Sequence, residues 1–237
     1  MCVTIKIDEI ICSRRKTLAL QINSEGKLIV RAPYRMHQSF IEQFISQKKE
    51  WILAKQAQAI TRHQSRQTLK HRYLPGEKFR FLGHDYPLCL VVASKEGKTR
   101  LAKKLRLCDQ GFLMLEQYQH QAKKLFVEWY QNEAQVFFEN QVKAYAEKHQ
   151  LTYREIKVGH ARKRWGSCSS QKNLNFSWRL MMAPIEVIDY VIVHELAHLA
   201  HLNHSAAFWY QVKQMMPDYA VHRQWLKSYG HQLELLE

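Results

Sequence analysis

The sequence predicts an α+β fold: a β-rich N-terminal half, then an α+β half built around one chemically marked helix. Three observations carry this. Hydrophobic periodicity is close to two over residues 1–118 and turns to 3.6 from residue 119 onward. Turn signals at Ser24-Glu25-Gly26 and Pro75-Gly76 punctuate the first stretch. Near the far end, "VIVHELAHLAHLNHSAAFW" (191–209) sets four histidines and one glutamate within eleven positions of an otherwise apolar helical pattern. Two regions follow, 1–118 and 119–237.

In chain order, "KTLALQIN", "KLIVRAP", "KFRFL", "YPLCLVVA" and "KLRLCD" alternate or run apolar and read as strands. One helix interrupts them, "SFIEQFISQKKEWILAKQAQAI", with Phe40, Ile41, Phe44, Ile45, Trp51 and Ile52 at helical spacing. After it, "TRHQSRQTLKHRY" is basic, poor in apolar residues, and reads as an exposed connector. A long helix over "AKKLFVEWYQNEAQVFFENQVKAYAEKHQ" has Leu125, Tyr130, Val136, Phe137 and Val142 as inward candidates. A strand "REIKVGH", a turn "ARKRWGSCSSQKN" and a strand "LNFSWRLMMA" come next, before Pro184 opens a helix at a tolerated first position.

Composition narrows the partners. The 237 residues are 46% apolar, enough for a real core, and 36 Lys and Arg against 21 Asp and Glu leave a net charge of +15. Such a surplus favours anionic partners, and residues 61–107 alone hold twelve Lys or Arg against three Asp or Glu. Cys2, Cys12, Cys89, Cys108 and Cys168 are odd in number, scattered and free of CxxC pairs, which suits a reducing compartment. The N-terminus lacks an apolar signal core, and no window of about 18 residues is free of charge. A soluble cytoplasmic protein with no membrane contact is expected.

The histidines have a mechanical reading. On a wheel of 100° per residue, His198 lies about 40° from His194, while Ile185, Ile188, Ile192, Leu196 and Leu199 gather opposite. One face enters the core; the other offers two imidazoles one turn apart, able to reach a single zinc ion. Glu195 points between the faces, where a base for metal-activated water belongs. A third ligand must come from beyond the pair, from His201 or His204, and wheel angle separates them poorly. His201 lies about 10.5 Å along the axis from His194 if the helix continues, too far for convergence. His204 follows Asn203, a residue that tolerates a left-handed helix stop, so the chain can swing His204 back, and it is the expected ligand.

Four segments in order, "RWGSCSS" (164–170), "LNFSWRL" (174–180), "IDYVIVHELAHL" (188–199) and "NHSAAFW" (203–209), resemble the YgjP-like metallopeptidases, relatives of the SprT-like and Wss-like zincins. A looser likeness over "RRKTLALQI", "GKLIVRAP" and "KKEWI" extends it to most of the chain. The resemblance implies a zincin fold in which the HExxH helix bears the active site and "NFSWRL" is an edge strand where an extended peptide can add itself. The metzincin pattern is not met: it has Gly seventh after the first histidine, where this chain has His201, and no Met-turn follows. Gly166 is expected to permit a tight turn, with Trp165 and Cys168 as packing residues. Arg164, Arg179 and Tyr190 are the candidates for substrate contact, the arginines for an anion and Tyr190 as a donor one turn before His194.

The leading expectation is a zinc metallohydrolase of the metallopeptidase type, with one Zn2+ on His194, His198 and His204 and Glu195 as general base. The runner-up enzyme is a metal-dependent nucleoside triphosphate pyrophosphohydrolase, suited to a basic chain with arginines near its metal. A third reading is a basic nucleic-acid-binding protein with an accessory metal site. Expected partners are therefore a polypeptide or nucleotide substrate and nucleic acid on the basic surface.

Overall fold

A computed structural model describes residues 5–68, 71–92 and 103–235, the side chains of 62–68 excepted. The chain forms two compact units, Met1–Lys70 and His71–Glu237. Among the described residues, no helix is long and apolar enough to cross a membrane.

The first unit holds β1 (Glu9–Ser13), β2 (Ala19–Ile22), β3 (Leu28–Pro33), α1 (Gln38–Gln47) and α2 (Lys49–Thr68). Its sheet has the order β1-β3-β2, with β1 parallel and β2 antiparallel to β3. Alternate residues Leu28, Val30 and Ala32 of β3 face inward and bury against Ile41, Ile45 and Ile52 of the helices. The β2–β3 turn is closed by the Asn23 side chain, whose Oδ1 accepts from the N–H groups of Glu25 and Lys27 at 2.9 Å each. The single helix expected here is two, divided at Lys48, and the expected connector after residue 60 is instead helical to Thr68. Phe40 and Trp51 are exposed, whereas Ile41, Ile45 and Ile52 carry the burial.

The second unit starts with β4 (Lys78–Phe81), β5 (His84–Val91), β6 (Leu105–Cys108) and β7 (Gly111–Leu115), in the order β4-β5-β7-β6. After a 3₁₀ turn over Glu116–Gln121, α3 (Ala122–Lys148) runs beneath two sheets. The other sheet contains β8 (Glu155–Gly159), β9 (Gly166–Cys168) and β10 (Asn173–Ser177), in the order β8-β10-β9. The buried stripe of α3 includes Leu125, Phe126, Trp129, Tyr130, Ala134, Phe138 and Val142, a pattern that recurs every three to four residues along one face. Phe126 stacks on Phe79 at 4.0 Å and Trp129 meets Phe112 at 4.8 Å, whereas Phe138 stacks on Phe176 at 4.5 Å. One helix thus buries its stripe against both sheets, so the compact unit begins at His71 although the periodicity changes near residue 118. Val136, expected inside, lies off that stripe and is exposed.

Two expected features of the second sheet are corrected. The segment "NFSWRL" is not an edge strand: β10 lies between β8 and β9, and after Ser177 the chain turns into a 3₁₀ segment, Trp178–Met182. The edges among the described residues are β8 and β9, and β9 reads in the sequence as a turn because Gly, Ser and Cys have little strand preference. Its registry with β10, Leu174 opposite Cys168 and Phe176 opposite Gly166, is what makes it a strand. Three helices complete the unit: α4 (Ile185–Ala197), α5 (Ala206–Met215) and α6 (Tyr219–Tyr229). Pro184 is the N-cap of α4, and Ile185, expected inward, is exposed at the first turn.

Candidate metal centre and its cavity

α4 is apolar on most of its surface, with Val187, Ile188, Val191, Ile192, Val193, Leu196 and Ala197 all buried, and this packing fixes its rotation. His194 emerges near its end and His198 is its C-cap. The helix stops there, so the chain turns back five residues earlier than an Asn203 break implies. Asn203 is not left-handed; its Oδ1 accepts from the N–H of Ser205 at 3.3 Å. Ser205 then caps α5, its hydroxyl accepting from the N–H of Phe208 at 3.4 Å. Between the two helices His204 returns to the α4 histidines, and one ligand atom each of His194, His198 and His204 lies within 4.8 Å of the others.

The donors suit a divalent ion. His198 Nδ1 lies 2.8 Å from the carbonyl oxygen of His201; an acceptor there requires the N–H on Nδ1 and leaves Nε2 with its lone pair. The backbone of His201 therefore orients a candidate ligand, while its own imidazole is not part of the group. His194 Nε2 and His204 Nε2 face each other at 3.0 Å. Burial first, then the neighbouring imidazoles and Arg223, holds His194 down to about 3. His204 is lowered by burial, His198 and Arg223. Imidazoles converging in this way are a nitrogen donor set for a borderline metal ion.

Sequence reasoning did not single out the floor of the site. Phe208, fully buried, touches all three imidazoles, with ring centroids 4.9, 4.5 and 4.8 Å from His194, His198 and His204. Trp209 stacks on His204 at 5.7 Å, and Arg223 from α6 lies over the Trp209 ring at 4.4 Å. The signal for Phe208 was the cap: Ser205 three residues before it starts the helix that aims it. Arg223 had none, because nothing in the sequence brings α6 to α4.

Glu195 is 5% exposed, and burial pushes its carboxyl up to about 8 against opposing effects of Arg164 and a hydrogen bond from the Cys168 backbone. Its Oε2 is buried without a partner. The side chain lies flat on Gly166 of β9, where an added Cβ would meet Glu195 Cγ and Oε1 at 2.6 Å. Close approach, not a tight turn, is thus why residue 166 has no side chain. Beside Glu195 a cavity of about 220 Å³ is lined by Arg164, Trp165, Tyr190, Val191, His194 and Leu226, among others. Two of the three expected substrate residues line it. Tyr190 meets the His194 ring edge-on at 5.9 Å, and burial pushes its phenol up to about 12, so it stays a donor at neutral pH. Arg179 is elsewhere: it is 8% exposed, donates to the His160 carbonyl at 3.1 Å and lies over Trp178. Its position in the 3₁₀ segment after β10 directs it there instead of along an edge strand. Trp165 and Cys168 pack against the core as expected.

Comparison with known proteins finds one family, described as YgjP-like, metallopeptidase domain, whose pattern matches residues 16–229. No curated protein matches the chain. Among solved structures, the crystal structure of the metallopeptidase zymogen of Pyrococcus abyssi abylysin aligns at 18% identity over 38% of this chain and 92% of that one, with a TM-score of 0.34.

Proposed function

The chain belongs to the YgjP-like family of metallopeptidase domains, and from that premise we propose that it is a zinc-dependent peptidase with Glu195 as its general base. His194, His198 and His204 would hold the ion. The observation that carries the reading is the convergence of three imidazoles, one of which, His194, lines the same cavity as the buried Glu195 carboxyl group with its unpartnered oxygen. When bound, the ion supplies Lewis acidity toward a carbonyl and lowers the pKa of water.

The chain's own residues do the rest. The Cys168 N–H and the flat face of Gly166 hold Glu195 in one orientation, leaving Oε2 to accept a proton from water and later return it to the leaving nitrogen. The outer edge of β9, with no strand on its far side among the described residues, offers main-chain groups to an extended peptide. Trp165, Tyr190, Val191 and Leu226 make the cavity wall largely apolar, which suits a side chain better than a triphosphate. That favours peptide over the phosphoanhydride alternative. A reducing, cytoplasmic setting is part of the proposal, supported by four free cysteines among the described residues.

The test is Glu195→Gln in metal-loaded protein, assayed on unfolded polypeptides and on a nucleoside triphosphate panel. Metal should remain bound while peptide hydrolysis falls by roughly 10²- to 10⁴-fold. Cleavage of nucleotides but not of peptides by the native chain would overturn the substrate assignment. Full activity in the variant would remove Glu195 from the mechanism.

A further inference from the structure

Arg223 is a cation placed beside the site without an anion to hold. It is exposed on α6, and no ion pair joins it to a carboxylate among the described residues. Its guanidinium rests on Trp209, which stacks on His204 at 5.7 Å and lies 5.8 Å from His194. Trp209 is backed in turn by Tyr219, stacked at 5.5 Å, so the platform is built from α5 and the start of α6 together. The Arg223 charge reaches His194, His204 and Tyr190, whereas the cation that reaches Glu195 is Arg164. Arg164 lines the cavity beside Glu195, and Arg223 lies over the ring that packs against His194 and His204.

A guanidinium beside ligands for another cation is repelled while no substrate is present. Such an arrangement becomes favourable when negative charge gathers between the two. Peptide hydrolysis generates that charge. As the water oxygen bonds to the carbonyl carbon and its proton passes to Glu195, the carbonyl π pair moves onto the carbonyl oxygen. When the C–N bond breaks, the pair returns and the proton goes to the leaving nitrogen. Water and base share one side of the carbonyl group, so its oxygen gathers charge away from Glu195, and Arg223 is the exposed cation held on the ring that packs against His194 and His204.

We propose that Arg223 is a further catalytic residue, a charged donor carried on the Trp209 platform that binds the carbonyl oxygen as it becomes anionic. This rests on the peptidase reading above. The guanidinium fork can donate two hydrogen bonds where an ammonium offers a point charge.

The test compares the metal-loaded native protein with Arg223→Met and Arg223→Lys variants. Metal titration checks first that each variant holds the ion within about threefold of the native affinity. Arg223→Met should then lower kcat by roughly 10²- to 10³-fold with KM little changed, the loss typical of one oxyanion donor. Arg223→Lys should restore part of it. Calorimetric titration with a phosphinate pseudopeptide, whose anionic oxygens mimic the charged carbonyl, should show a comparable fall in affinity in the Met variant. Unchanged kcat and unchanged phosphinate binding would overturn the proposal, and so would a loss confined to KM. If the native protein cleaves no peptide, the peptidase reading fails by itself. The phosphinate titration still decides whether Arg223 holds an anion.

Discussion

Replacing Gly166 by Ala should displace Glu195, the proposed base, without touching the proposed metal ligands. The added Cβ would lie 2.6 Å from Cγ and Oε1 of Glu195 and 2.8 Å from Cδ, closer than real contacts allow. Cγ and Cδ are not a loose chain end, because Glu195 is 5% exposed on a helix whose rotation the core fixes. Either the carboxylate shifts or β9 parts from α4. Overpacking of this kind costs roughly 1–3 kcal/mol. It outweighs the roughly 0.5–1 kcal/mol by which Ala in place of Gly otherwise stabilises a strand. A net loss of up to about 2.5 kcal/mol, in a unit of the length of His71–Glu237, corresponds to a fall in Tm of up to roughly 10 °C. A base misplaced by about 1 Å lowers turnover by roughly 10²-fold. The assay is a double-mutant cycle read by thermal unfolding of the metal-free protein. In a Glu195→Ala background the obstruction is gone, so Gly166→Ala should become neutral or mildly stabilising, giving a coupling of about 1–3 kcal/mol. Equal effects in the two backgrounds, or native turnover in Gly166→Ala, would refute the contact as the reason for the glycine.

His204→Ala should lower metal affinity sharply, whereas His201→Ala should leave it near native, since His201 acts through its carbonyl on His198. Metal titration of both variants decides this, and equal losses would contradict it. A pH effect follows for the metal-free protein. Glu195 is raised to about 8 when folded, so its contribution is fully present below its unfolded value near 4.5 and is lost as pH rises through 8. His194, lowered to about 3, works in the opposite sense only up to its unfolded value of 6.5. Between pH 6.5 and 8 the His194 effect is spent, and roughly 2 kcal/mol should be lost through Glu195, a loss that Glu195→Gln removes in chemical denaturation curves. Nucleic-acid binding is tested through Lys103, Lys104 and Arg106, which are described, whereas residues 93–102 and the side chains of 62–70 lie outside the described residues. Replacing all three by Ala should reduce the slope of log affinity against log salt by up to about three, with metal binding unchanged. Absence of any binding at about 50 mM salt would leave the charge surplus as solvated surface.

The chemistry of this protein is written locally, in short periodic stretches. HExxH on an apolar helix, with His204 ten residues after His194, follows from spacing on one element and one reversal of the chain, and the structure brings those donors together. The change of period near residue 118 and most strands were legible for the same reason, since alternation and 3.6-residue stripes are properties of a single segment. What depends on two distant segments was not. β9 becomes a strand only through its registry with β10, and that pairing moves the free edge away from "NFSWRL". Arg179 turns inward to the His160 carbonyl because the chain enters a 3₁₀ turn after β10. The division at His71 arises because α3 buries one stripe against two sheets. Gly166 is needed because the Glu195 side chain, twenty-nine residues later, lies on it, and Arg223 is tied to the imidazoles only through Trp209, the ring on another helix that it lies over. Packing between elements is decided by shape and burial summed over the whole core, which no local pattern contains. The donors could therefore be read from the sequence, while the surfaces that orient them could not.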